Sequence, residues 1–346
     1  MKIGMVDVFF GTPKGHSYVN RDIMKFLMEE GHEVHLQRIN NTPLGPEFIK
    51  PTSMESLPVG SGNLSKEDFV KWIDDKQLDS IFFMEYMQWW DDAYDKLDVC
   101  KEKGVKTIGF HVWEKLDFEN KLEHYKKYDC IMAPTGFQTK LMRKKGLYKT
   151  VHTPWGIDFA EFDSVKKPNT ETNTIKFFHC AGSGGVDNRK NTEKVIKAFE
   201  LINDDSVELI ITHLNAKVFS REDIIRMTKH VDVVVNTAKW DTIGLNTLES
   251  NACGRPVIVC DADPMNELVQ NNVNGLTVAC KIGTSEHVTC PSADVDVEDL
   301  AAKMNMLKNK LILDTLKNNS RKFAESNFDW KNNKEHFLKL FREVKK

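Results

Sequence analysis

The sequence predicts an α/β chain built as two Rossmann-like halves, and three observations carry that reading. Apolar runs of strand length alternate with segments of helical spacing in both halves. A glycine-bearing loop follows the first strand of each half, at residues 11–17 and 181–190, the place where doubly wound sheets bind ligands. The polar run Ser164 to Thr174 between the halves has linker composition.

At 346 residues the length suits two domains, each with its own core. A hydrophobic fraction of 40% and a charged fraction of 29% are those of a soluble globular protein. A net charge of -3 argues against a nucleic-acid partner, which needs clustered excess cation. The opening MKIGMVDVFF reads as a first strand rather than a signal peptide, and no apolar run nears the roughly eighteen residues of a span. The expected location is cytoplasmic. Seven cysteines without a C-x-x-C pair read as reduced thiols.

Taken in order, residues 3–10 form a strand, Tyr18 to Glu30 a helix stopped by Gly31, and His32 to Leu36 a second strand. The dinucleotide fingerprint is missing and Arg38 closes the second strand, so a nicotinamide cofactor is not expected. Asn40 to Asn63 lacks periodicity and reads as a long loop. Ser65 to Asp74 is helical, Ser80 to Met84 a strand, and the aromatics Tyr86, Trp89 and Trp90 follow as core residues or a sugar platform. Val105 to Phe110 is a strand that delivers His111 at its end. Phe137 to Lys145 reads as a helix, and the basic stretch 137–149 carries Lys140, Arg143, Lys144, Lys145 and Lys149. It is either solvated charge or a peripheral membrane contact.

In the second half, strand Ile175 to Cys180 runs into a loop with Gly182, Gly184 and Gly185, then Arg189 and Lys190 at a helix entrance. Open amides, a helix dipole and two cations make a metal-free diphosphate site. Val207 to Thr212 is the next strand, with His213 and Asn215 leaving it. Val231 to Val235 is another, and a helix from near Asn246 stops at Gly254 before strand Arg255 to Cys260. Asp241 and Glu249 flank the start of that helix, with Gly244 between them. Glu249 has two readings: N3 of a capping box with Asn246 as N-cap, or a ligand for a polyhydroxyl. A further helix holds Glu267, and Lys281 to Val297 reads as a loop without assigned role.

These segments resemble the retaining, family-4 glycosyltransferases of the GT-B architecture. The resemblance rests on two acids separated by seven residues, Asp241 and Glu249, then Gly254-Arg255-Pro256-Val257-Ile258. It also rests on Gly31-His32-Glu33-Val34 and on the turn Trp155-Gly156-Ile157-Asp158. That family usually has Glu where this chain has Asp241.

The resemblance implies two domains facing each other across a cleft: residues 1–163 for the acceptor, 175–325 for a nucleotide-sugar donor, and a closing segment 326–346 packing back on the first. It implies transfer of a hexosyl unit from a UDP- or GDP-sugar to a hydroxyl of a glycan or glycolipid, with retention and without metal or cofactor. Arg189 and Lys190 would bind the pyrophosphate, and Asp241 and His111 would face the sugar. Glu249 would hold the ribose, and Gly15, Gly182, Gly244 and Leu245 would line the donor's path. Two other functions fit the same residues, a nucleotide-sugar 2-epimerase and a nucleotide-sugar-binding protein without catalysis.

Overall fold

The computed structural model describes residues 1–7, 10–12, 15–39, 43–45, 47–57, 64–85, 94–167, 173–181, 188–212, 219–286 and 288–342. The chain divides into two compact units, one made of Met1–Pro154 with Lys334–Lys346 and the other of Trp155–Asn333.

The first unit contains β1 (Lys2–Asp7), α1 (Gly15–Glu29), β2 (Glu33–Arg38), β3 (Ser53–Ser56), α2 (Lys66–Lys76) and β4 (Ser80–Met84). It continues with α3 (Asp95–Lys103), β5 (Lys106–Phe110), α4 (Leu122–Tyr125), β6 (Cys130–Ala133), α5 (Gly136–Lys144) and β7 (Thr150–His152). Its seven strands pair in the order β3-β2-β1-β4-β5-β6-β7, all parallel. Because helices cover a parallel sheet on both faces, β4 and β5 are buried at every residue. Helix α1 packs through Val19, Ile23 and Leu27 and ends where Gly31 takes φ 80°, a left-handed turn suited to glycine. Ser65 caps α2 by accepting from Asp68 N at 3.1 Å.

The second unit contains α6 (Phe159–Ser164), β8 (Ile175–Cys180), α7 (Thr192–Ile202), β9 (Val207–Thr212), α8 (Arg221–His230), β10 (Val233–Asn236) and α9 (Leu245–Ala252). After these come β11 (Val257–Cys260), β12 (Gly275–Val278), β13 (Cys280–Gly283), β14 (Ser292–Val295), α10 (Val297–Met306) and α11 (Lys310–Phe328). Five parallel strands pair as β12-β11-β10-β8-β9, and Phe177, Val234 and Val257 are fully buried in their core. Each such side chain contributes roughly 1.5–3 kcal/mol by burial.

The units divide ahead of the polar run 164–174, because α6 is held inside the second unit. Lys229 Nζ donates to the carbonyls of Phe162 and Val165 at 2.6 Å each, and Arg321 pairs with Asp163 at 2.9 Å. The turn at Trp155 is held there too: its ring packs on Trp330 at 5.8 Å, and Asn333 donates to its carbonyl at 3.0 Å. The closing helix α12 (Trp330–Arg342) begins in this unit. From Lys334 onward it belongs to the first, where Phe337 packs on Phe26 and Phe82 at 6.3 and 6.1 Å.

Two expected loops hold strands. Within 40–63, Ser53–Ser56 forms the edge strand β3, paired with β2. Three of its four residues are exposed, so it lacks the apolar alternation that marks a half-buried strand. Within 281–297, β13 and β14 make an antiparallel hairpin with Lys281 opposite Asp294, and α10 starts at Val297. The helix expected around Glu267 is a single 3-10 turn, Met265–Glu267.

Candidate functional site

In the second unit the strand order reverses between β8 and β10, which makes the carboxyl ends of these two strands the switch point of the sheet, where doubly wound sheets bind ligands. The loops leaving those ends carry Arg189, Lys190, Asp241 and Gly244. Gly182 lies outside the described residues, as do His213, Asn215 and the aromatics Tyr86, Trp89 and Trp90.

The two loops are laced together by backbone-directed hydrogen bonds. Asn188 and Asn191 both take left-handed φ, 46° and 55°, which asparagine tolerates better than most residues. Asn191 Nδ2 donates to the carbonyls of Thr237 and Ala293 at 2.8 and 3.2 Å, and Lys239 N donates to Arg189 O at 2.8 Å. Buried His179, at the end of β8, bonds Val235 O at 2.9 Å and Thr192 Oγ1 at 3.0 Å. The cations therefore rest on a fixed frame.

Lys190 Nζ approaches Asp241 Oδ2 at 3.4 Å, and Arg189 Nη1 stands 4.0 Å from the same oxygen while donating to Trp240 O at 3.2 Å. The other oxygen, Asp241 Oδ1, accepts from Thr242 N at 2.9 Å and Gly244 N at 3.3 Å. Burial opposes ionisation of Asp241, but Lys190, Arg189 and the Gly244 N–H outweigh it and hold the carboxyl below its usual range. Burial drives the Lys190 ammonium below the ordinary lysine value; Asp241 pulls it up and Arg189 pushes it down again. With two cations around one carboxylate, the cluster has a cationic excess suited to an anion such as a diphosphate.

Gly244 is the N-cap of α9, with φ 67°, and a Cβ there would lie 2.3 Å from Leu268 Cδ1. The left-handed φ favours glycine, and Gly244 itself supplies no side-chain cap. Leu245 is the first helical residue, so Glu249 is the fifth and not N3. The capping-box reading fails, because a left-handed glycine starts the helix two residues earlier than Asn246 would. Glu249 is 9% exposed, and its carboxylate accepts from Arg221 Nη1 at the start of α8. Arg221 Nε also donates to Glu161 Oε2 at 2.9 Å, and the guanidinium lies over the Phe162 ring at 5.5 Å. Sequence reasoning missed Arg221, although Ser220 and Asp223 do form the capping box that opens α8.

The structure brings Arg189, Lys190, Asp241 and Gly244 together and sets Leu245 and Glu249 on the helix that follows. Gly15 and His111 belong to the first unit. Gly15 is the exposed first residue of α1, the helix that follows β1. His111 follows β5 at 1% exposure, between the rings of Tyr125 and Tyr128 at 5.1 and 5.3 Å. Neither ring nitrogen has a partner among the described residues, and burial pushes its pKa down to about 3. Of the basic stretch 137–149, Arg143 donates to Thr150 O, Lys149 to Tyr128 O, and Lys145 lies over Phe118 at 5.7 Å. No helix among the described residues is long and apolar enough to cross a membrane.

Residues 212–287, from the end of β9 through α9 to the hairpin, match the family model for glycosyl transferases group 1. A GDP-mannose-dependent alpha-(1-6)-phosphatidylinositol dimannoside mannosyltransferase of Mycobacterium tuberculosis is 24% identical over 168 residues. That match takes in 41% of this chain and 43% of the relative, so it spans under half the length of either. Among solved structures, HepE of Anabaena in complex with UDP and glucose superposes with a TM-score of 0.73 at 15% identity, over 99% of this chain and 100% of that one. Sucrose-phosphate synthase of Thermosynechococcus elongatus gives 0.71 at 14% identity, over 99% and 98%. The fold is GT-B, with two Rossmann-like units.

Proposed function

We propose that the chain is a retaining glycosyltransferase that moves a hexosyl unit from a UDP- or GDP-sugar to a hydroxyl of a glycan or glycolipid. The observation that supports it most is the pairing of Arg189 and Lys190 with Asp241 beside the left-handed Gly244, at the switch point of the second unit. The site lies partly within the segment that matches the family model. The relatives, a GDP-mannose-dependent mannosyltransferase and a protein in complex with UDP and glucose, favour a nucleoside diphosphate sugar as donor.

In this reading negative charge grows on the leaving diphosphate, and Arg189, Lys190 and the α9 entrance stabilise it without a metal. Asp241 then has two tasks. It fixes the loop through Oδ1 and offers Oδ2 toward the sugar once the cations turn to phosphate. The departing phosphate oxygen takes the acceptor's proton, so no separate base is assigned. Glu249, oriented by Arg221, accepts from the ribose hydroxyls.

The test is binding first and transfer second. A thermal-shift panel of UDP, GDP, ADP and their sugars should show one preferred ligand, worth about 2.7 kcal/mol at a hundredfold excess over its Kd. The preferred donor, given a glycan or glycolipid acceptor, should release free nucleotide with the product's anomeric configuration retained. If no nucleotide or nucleotide sugar shifts the melting curve, the proposal fails.

A further inference from the structure

All seven cysteines are free thiols, and two of them are neighbours. Cys260 ends β11 and is fully buried; its partner in the parallel register with β12 is Val278. Ala279 alone separates β12 from β13, which Cys280 opens. Cys280 Sγ lies 3.6 Å from the carbonyl oxygen of Asp261, the residue after Cys260, and Cys280 packs against the core cluster that contains Cys260.

Their surroundings differ in a useful way. Cys280 is half-buried in the wall of a cavity of about 380 Å³ that also holds Lys194, Lys281 and Asp294. Cys260 lies behind it, closed to solvent. A small oxidant meets Cys280 first.

We propose that Cys260 and Cys280 are a peroxide-oxidised pair, with Cys280 as the attacking thiol and Cys260 as the resolving one. A hydrogen bond from the Cys260 thiol holds the Cys280 pKa below the ordinary thiol range against burial and the Asp261 and Asp294 carboxylates, while that bond and burial push Cys260 up. Elsewhere burial suppresses the thiolate: Cys253 is pushed up to about 12 and Cys100 is raised as well.

In the first step the Cys280 thiolate attacks one peroxide oxygen and the O–O bond breaks. Hydroxide leaves, takes up a proton as water, and Cys280 is left as the sulfenic acid. In the second, Cys260 sulfur attacks Cys280 sulfur. The S–S bond forms, the S–O bond breaks, and the Cys260 proton leaves with the hydroxyl as water. Two thiols lose two electrons and one peroxide becomes two waters.

The experiment treats the reduced full chain with a small excess of hydrogen peroxide, unfolds it in urea, alkylates the remaining thiols and maps fragments by mass spectrometry. Trypsin leaves both cysteines in one fragment because no Lys or Arg lies between them, so a protease cutting after Glu267 is used. The expected result is loss of two of the seven thiols, with the fragments joined through Cys260 and Cys280, lighter by two hydrogens and separated again by dithiothreitol. In Cys260→Ala, one thiol is lost and Cys280 is trapped by dimedone. In Cys280→Ser, both losses disappear. Retention of all seven thiols in the wild-type chain, or a bond through Cys253 or Cys290 instead, overturns the assignment, whether or not the variants fold.

Discussion

Arg221, the first residue of α8, donates to Glu249 in α9 through Nη1 and to Glu161 in α6 through Nε. The Arg221 and Glu249 side chains are about a tenth exposed, at 10% and 11%. The guanidinium bridges two carboxylates, so Arg221 joins three helices around the acid expected to hold the ribose.

This relationship predicts unequal costs. Arg221→Met leaves two carboxylates facing each other and should lower unfolding free energy by about 3–5 kcal/mol, the range for breaking a buried pair. Glu249→Gln keeps an acceptor for Arg221 and leaves Glu161 in place, so it should cost about 1.5 kcal/mol or less. The double variant should cost less than the sum by more than about 0.5 kcal/mol. Urea denaturation of the three proteins checks this, and strict additivity would mean that the pair is not coupled. Calorimetry of Glu249→Gln with the preferred nucleoside diphosphate should show affinity about tenfold weaker, since a hydrogen bond to a charged acceptor is worth about 1.5–3 kcal/mol. Equal affinity would leave Glu249 as a purely structural partner of Arg221.

Arg189→Ala should lower turnover by about two to three orders of magnitude, as loss of one oriented donor to a developing anion does. The side chain is 31% exposed and touches Trp240 O, so the fold should survive. Steady-state rates on a protein with unchanged circular dichroism decide it. Near-normal turnover would remove the diphosphate from this loop.

Saturating EDTA should leave transfer unchanged, because Arg189 and Lys190 supply the positive charge that a metal would otherwise bring. Loss of activity with rescue by manganese would contradict the metal-free reading.

Much of the frame was legible before any coordinates. Strands Ile175–Cys180 and Val207–Thr212 fall on the residues expected, because each is an apolar run bounded by polar turns. The site's chemistry was legible where it is local: Arg189-Lys190 at a helix entrance, and Gly244 ahead of a helix. Three things were not. Arg221 reaches Glu249 from another helix, a pairing set by how α8 and α9 pack and invisible to any spacing rule. The strands β3, β13 and β14 have four residues each, the first two mostly exposed and the third mostly buried, and so short a run shows too little periodicity to declare a strand. The start of α9 was misplaced because Asn246 looks like a better N-cap than Gly244 until the left-handed turn, with Leu268 filling the space beside it, is seen.

Gly244→Ala tests that turn. An alanine at φ 67° bears left-handed strain, and its Cβ would meet Leu268 Cδ1 at 2.3 Å, a side chain itself buried. The combined cost should be roughly 1–3 kcal/mol. Truncating the buried Leu268 relieves the contact but leaves a cavity of its own, so the double variant should cost less than the sum of Gly244→Ala and Leu268→Ala by what the contact cost. The urea midpoints of the single and double variants measure it. An alanine variant as stable as the wild type would mean that the turn is not held as described.

His111 carries a pH signature. Burial depresses its pKa to about 3 in the folded chain from an ordinary value near 6.5, so between those values the unfolded chain binds the extra proton. Stability therefore rises with pH through that window, and the His111 contribution is lost as pH falls below about 6.5, by about 1.4 kcal/mol per unit. His111→Phe keeps an aromatic between Tyr125 and Tyr128 and cannot titrate. It should be no less stable than wild type at neutral pH, since it removes two buried nitrogens that have no partner among the described residues. Its stability should fall less steeply between pH 6 and 4 by that same slope, the carboxylates common to both proteins cancelling. Transfer should nonetheless be impaired in His111→Phe if the imidazole faces the donor sugar. Urea denaturation at half-unit pH steps reads the first role, and a transfer assay on the same two proteins at neutral pH reads the second. Parallel stability curves would show that His111 titrates normally and is not sealed between those rings.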